Sequence, residues 1–121
     1  MLTGQIKSPS DLPEGDMRRH FPRFAPENFD VNLQLVAQVE RLAKKKGCTP
    51  AQLAVAWTRA VSAKPGMPVV IPIPGGASAD RVKENTQVVE LTAAEMAEID
   101  ATLDKFEVSG SRYPAGAPVE T

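Results

Sequence analysis

Residues Val69, Val70, Ile71, Pro72 and Ile73 form a short apolar run, largely β-branched and without alternation. A run that is apolar on both sides of the backbone suits a strand covered on both faces, as in a parallel sheet. Such a strand needs hydrogen-bond partners along both edges. In a parallel sheet each neighbour arrives through its own crossover. The 121 residues contain no second run of comparable quality, since Val88 and Val89 follow a helical pattern. The strand therefore pairs with another chain, or the sequence is a piece of a larger sheet. Either way the chain by itself is expected to be unstable or to self-associate through unpaired strand edges.

Around this run the pattern is helical. Residues 1–29 carry Pro9, Pro13, Pro22 and Pro26 and little apolar periodicity, which predicts a long loop with short turns. Leu33, Val36, Val39, Leu42 and Ala43 recur at threes and fours, the spacing of one helix face. Lys44, Lys45 and Lys46 suit the negative end of that helix, and Gly47 suits its left-handed stop. Thr49, Pro50 and Gln52 start a second helix with a capping box; its apolar residues cover more than half its circumference, so it is expected to be buried. A third helix is predicted from about Ser78 to Val88. A fourth begins with the capping box of Thr92 and Glu95 and carries Met96, Ile99 and Leu103 on one face. From Ser109 onward glycines and prolines predict a flexible tail. Strand, glycine turn and helix in this order fit the last unit of a β/α barrel or of a doubly wound sheet, and the pattern does not choose between them.

Composition narrows the functions. Hydrophobic residues are 42%, charged residues 24%, and the formal net charge is −1. Nucleic acid and anionic membrane are poor partners for such a chain, because both call for a basic footprint. No stretch nears the ~18 apolar residues of a spanning helix. Cys48 is the only cysteine, so no internal disulfide and no CxxC metal spacing exist. A cytoplasmic location is the expectation. Cys48 sits before a helix cap, where a thiol can be acidified, although a small unreactive side chain is the better reading. Trp57 reads as core and the three lysines as a solvated helix end.

Several motifs in register resemble the aldo-keto reductase family. Ile71-Pro72-Ile73-Pro74-Gly75, followed by Ser78, Arg81, Glu84 and Asn85, is similar to its cofactor segment. Leu2-Thr3-Gly4, the Arg18-Arg19 loop running to Phe29, the helix that opens at Thr49, and Leu91-Thr92 with Glu95-Met96 resemble further family segments in the family's order. The likeness runs from Leu2 to about Leu103.

That resemblance implies an α/β fold: the C-terminal part of a TIM (β/α)8 barrel, mostly helical, with residues 69–73 as its one parallel strand. Residues 1–108 would be the C-terminal part of the oxidoreductase domain and residues 109–121 the tail. The family reduces aldehydes and ketones with NADPH, using a tyrosine assisted by lysine, histidine and aspartate. Those four would lie on earlier strands outside this sequence. Tyr113 and His20 are out of place for these roles and read as packed or surface aromatics.

The adenosine end of NADP(H) is the part this sequence would hold. A glycine turn leading into a helix N-terminus favours phosphate. By resemblance, Arg81 would bind or stack on the 2′-phosphoadenosine, and Glu84 and Asn85 would read the adenine. Gly75 would allow close approach, and Leu2 and Gly4 would touch the pyrophosphate. Arg18 would belong to a loop folding over the cofactor. Ala77 and Gln5 stand where relatives carry groups that help with phosphate. Read on spacing alone, Arg81 and Glu84 are an ordinary surface ion pair. The competing functional reading is a non-catalytic helical module that pairs with another chain.

Overall fold

The computed structural model describes residues 1–117. Four helices follow in order: α1 Pro26–Lys46, α2 Pro50–Ser62, α3 Ala79–Thr86 and α4 Ala93–Leu103. Three single 3-10 turns, Pro9–Asp11, Met17–His20 and Pro22–Phe24, precede α1. The prolines of this stretch start structure rather than only breaking it: Pro9, Pro22 and Pro26 each open a turn or helix, where a missing N–H costs nothing. Helix α1 accordingly begins at Pro26, inside the span expected to be loop.

Local chemistry explains each helix end. Gly47 takes φ 75° and closes α1, and the Cys48 N–H reaches back to the Ala43 carbonyl at 3.0 Å. Thr49 and Gln52 cap α2 reciprocally, at 3.2 and 3.0 Å. Thr92 and Glu95 do the same for α4. Ser78 caps α3, accepting from the Arg81 N–H.

The core forms where α1, α2 and α4 meet. Leu42, Ala43, Leu53 and Ile99 are buried together, with Val39, Cys48, Trp57, Leu91 and Leu103 packed against them. Ion pairs flank this core: Lys45 to Glu98 at 2.7 Å, Lys46 to Glu95 at 2.9 Å and Lys64 to Asp100 at 2.8 Å. Two of the three lysines that read as a solvated helix end therefore lie against α4. Trp57 donates from its indole nitrogen to Asp100 while its ring meets the core. Helix α3 is tied to α2 by the buried Gln52 amide, which donates to the Glu84 carbonyl and to the Gln87 side chain.

The strand expected over residues 69–73 does not form; among the described residues there is no strand. The segment lacks a neighbour with which to build a ladder, and a β-ladder exists only between partners. Its apolar side chains consequently face solvent, with Val69 86%, Ile71 78% and Ile73 92% exposed. No helix among the described residues is long and apolar enough to cross a membrane.

Candidate functional site

An open groove of about 430 Å³ lies between the N-terminal residues, α2 and the start of α3. Its floor is made by Ala51, Ala54 and Val55, small residues at helical spacing on one face of α2. Thr3 and Gln5 stand at one wall. They are placed by Gly4, whose φ of 73° turns the chain and whose N–H bonds to the Met1 carbonyl at 2.9 Å. A side chain at Gly4 would strike the Glu40 carboxylate.

Arg18 reaches the same groove from the Met17–His20 turn. Asp16 caps that turn through the Arg18 N–H and clamps the guanidinium, with Nη2 at 2.6 Å. The Arg18 hydrogen bonds hold the Asp16 carboxyl at about 2, below the usual carboxylate range. Pro74 and Gly75 form the opposite wall with Arg81 and Asn85. Arg81 and Asn85 are four residues apart on one face of α3. The Asn85 amide donates to the Gly75 carbonyl at 3.0 Å and so fixes the glycine turn to the helix.

Two guanidinium groups thus face a concavity at a capped helix N-terminus. Arg81 pairs with Glu84 through Nη1 at 2.8 Å, while its Nε and Nη2 make no hydrogen bond among the described residues. Arg18 spends Nε and Nη2 on Asp16 and keeps Nη1. These remaining donors, planar and permanently charged, suit an anion with several oxygens. No carboxylate, imidazole or phenol lines the groove. It can hold a ligand, and it offers no side chain able to move a proton near neutral pH.

Of the eight residues expected to meet a cofactor, Arg18, Gly75, Arg81 and Asn85 are brought together here. Glu84 points to a neighbouring depression, where it is held by Arg81, and acts on the groove only through that pairing. Leu2 lines a separate apolar recess with Phe24, Leu35 and Val108. Gly4 sets the turn without lining the groove, and Ala77 is exposed beside the cap of α3. The floor residues of α2 were not foreseen; their small size at positions 51 and 54 was the available signal. Tyr113 stacks edge-on against Phe21, with ring centres 6.5 Å apart, and neither it nor His20 lines the groove. Burial pushes the Cys48 thiol up rather than down, so it is not an activated nucleophile. Among the described residues no cluster of metal-ligating side chains occurs.

The family model that matches this chain is that of the aldo/keto reductase family, over residues 1–104. The chain belongs to the aldo/keto reductase family. It is 43% identical over 118 residues to the NADP(+) aldo-keto reductase yakc of Schizosaccharomyces pombe, covering 96% of this chain and 33% of that protein. It is 35% identical over 114 residues to the aldo-keto reductase str7 of Strobilurus tenacellus, covering 93% and 32%. The chain thus spans about a third of the length of these curated relatives. No solved structure matches it. Arg18, Gly75, Arg81 and Asn85 all lie inside the span matched by the aldo/keto reductase model.

Proposed function

We propose that this groove grips the adenosine-phosphate end of NADP(H), and that the chain supplies the grip to an aldo/keto reductase barrel acting on aldehydes and ketones. The observation that carries this reading is the convergence of Arg18, Gly75, Arg81 and Asn85 on one concavity. The donor set suits the group. Arg81 offers a planar fork to the 2′-phosphate, and Glu84 holds that fork in place. Asn85 keeps its side-chain carbonyl free to accept from the adenine amino group. The glycine turn at Gly75 leads into the capped N-terminus of α3, where backbone N–H groups would favour the phosphates. Arg18 closes over the ligand. The NADP(+) in the name of the fission yeast relative supports the same ligand. NADPH, when bound, supplies the hydride; the residues present here bind and orient it.

In the barrel, residues 69–73 would serve as the eighth strand and residues 1–108 as the closing part of a cytoplasmic oxidoreductase domain, followed by a tail at residues 109–121. A titration of the purified chain with NADPH, followed by cofactor fluorescence, tests the grip. Saturable binding should weaken about tenfold in Arg81→Ala, the loss of one charge-assisted contact of roughly 1.4 kcal/mol. NADH, which lacks the 2′-phosphate, should bind more weakly than NADPH. Equal affinity for the two cofactors, unchanged in Arg81→Ala, would remove the reading.

A second reading, a non-catalytic helical module that pairs with another chain, draws on the exposure of Val69, Ile71 and Ile73.

A further inference from the structure

Arg18 owes its place in the groove to the residues that follow it. The Met17–His20 turn that carries it is closed by the Phe21 N–H, which donates to the Arg18 carbonyl at 3.1 Å. Phe21 then opens the Pro22–Phe24 turn, and its carbonyl accepts the Phe24 N–H at 2.8 Å. The Arg18 guanidinium lies over the Phe24 ring, 6.0 Å from its centre. Residues 21–24 therefore hold Arg18 through both backbone and side chain, and none of them lines the groove. The same residues are gripped from behind by residues 109–113. The Arg23 Nε donates to the Gly110 carbonyl at 3.3 Å. The Asn28 amide donates to the Pro22 carbonyl at 2.9 Å and accepts from the Ser109 hydroxyl at 2.6 Å. The Tyr113 ring meets Phe21 edge-on. Gly110 makes the approach possible. Its φ is 82°, in the left-handed region, and a Cβ there would lie 2.9 Å from the Pro22 carbonyl oxygen and 2.8 Å from the Asn28 Nδ2.

We propose that residues 109–113 are a brace that positions Arg18 over the groove, with Gly110 and Tyr113 as its positioning residues. This role rests on the reading of the groove as an NADP(H) grip. Asp16 leaves Arg18 only its Nη1, and one planar donor serves a phosphate only when its direction is fixed. Asp16 fixes the guanidinium within its own turn, and Arg19 ties that turn to the Leu12 and Pro13 carbonyls of the same loop. The downstream anchor is residues 21–24 with the brace behind them, and Asn28 and Asn32 of α1 hold the brace in turn. A brace that must dock for Arg18 to meet the ligand is linked to it in both directions. Docking raises the affinity, and the ligand favours docking by the same factor. Each contact in this relay is made within the chain, and no uncovered edge or face enters it.

Titration of the purified chain with NADPH, followed by cofactor fluorescence, reads the effect on the groove. Tyr113→Ala should weaken binding about threefold to tenfold, the range of one aromatic contact. Tyr113→Phe keeps the ring and should bind like the parent. Gly110→Ala should weaken binding at least as much as Tyr113→Ala. Neither residue lines the groove, so in an Arg18→Ala background Tyr113→Ala should cost nothing further. Hydrogen exchange read by mass spectrometry follows the relay without a ligand. Exchange across residues 17–24 should quicken in both brace variants while α2 and α4 keep the parent rate. Added NADPH should slow exchange across residues 109–113. Affinity unchanged in both brace variants, or a loss just as large in the Arg18→Ala background, would overturn the brace, and sensitivity to Arg81→Ala would still leave the cofactor reading standing. Absence of saturable NADPH binding would sink the cofactor reading instead, and exchange across residues 17–24 then decides the brace: a quickened rate in Tyr113→Ala supports it and an unchanged rate removes it. Loss of helical circular dichroism in Gly110→Ala passes the decision to Tyr113→Ala, at a residue that is 39% exposed.

Discussion

Asn32 shows what one buried amide can organise. It is 4% exposed, on the inner face of α1. Its Nδ2 donates to the Arg23 carbonyl at 3.1 Å and to the Ser109 carbonyl at 2.8 Å, and its Oδ1 accepts from the Ser109 N–H at 2.9 Å. Asn28 adds a bond from the Ser109 hydroxyl, and Arg23 one to the Gly110 carbonyl. The stretch that reads as the start of a tail is therefore stapled to the first helix. Asn32→Ala should destabilise the chain by about 2 kcal/mol, because it strands buried backbone groups as well as losing bonds. The expected readout is a lower denaturant midpoint with faster proteolysis after Ser109. A midpoint equal to that of the parent would show that the staple carries no stability. Arg81 belongs to the same scale. Its ion pair with Glu84 is the plain contact that i and i+3 spacing predicts, and it still leaves two donors for a ligand.

At the scale of elements, helix ends join local and tertiary structure. Glu95 is the clearest case. It accepts the Thr92 N–H at 2.8 Å to complete the cap of α4, and it pairs with Lys46 at the end of α1. The cap bond first, and the Lys46 contact second, hold its carboxyl at about 2, down from 4.5. A carboxyl with a depressed folded-state pKa stabilises the fold fully above its unfolded value and loses that contribution as pH falls through the folded value. Asp16, held at about 2 by Arg18, has the same sign, and so does Asp100, lowered by Lys64 and Trp57. Acid unfolding should thus progress between about pH 4.5 and about pH 2, followed by helical circular dichroism. In Glu95→Gln the slope across that window should be shallower. An unchanged slope would mean that the cap and the lysine do not couple to folding.

For the whole molecule, the groove brings two guanidinium groups together and carries no carboxylate, imidazole or phenol in its lining. Carbonyl reduction needs a positioned proton donor, an effect of about 10²- to 10⁴-fold. The one tyrosine and the one histidine lie away from the groove. The 121-residue chain alone should therefore bind NADPH and show no NADPH-dependent reduction of an aldehyde, measured by absorbance of the cofactor. Turnover by the pure chain would overturn that expectation. The exposed strip at residues 69–73 acts at this scale too. It leaves the molecule with an apolar edge and no sheet, so the barrel typical of the aldo/keto reductase family is not what these residues build alone.

The helices were legible because their signals are local. Two capping boxes, Gly47 and the lysines before it, and the apolar spacing of α1 all lie within a few residues of what they determine. The family was legible too, since its motifs recur in order along the chain. Tertiary structure decided what depends on distant partners. It showed that residues 69–73 stay unpaired, because a ladder requires a neighbour that no local pattern can supply. It tied Asn32 to Ser109 across 77 positions. It also sorted the eight expected residues into four that share a groove and four that do not, since sequence order says nothing about which faces of α2 and α3 meet.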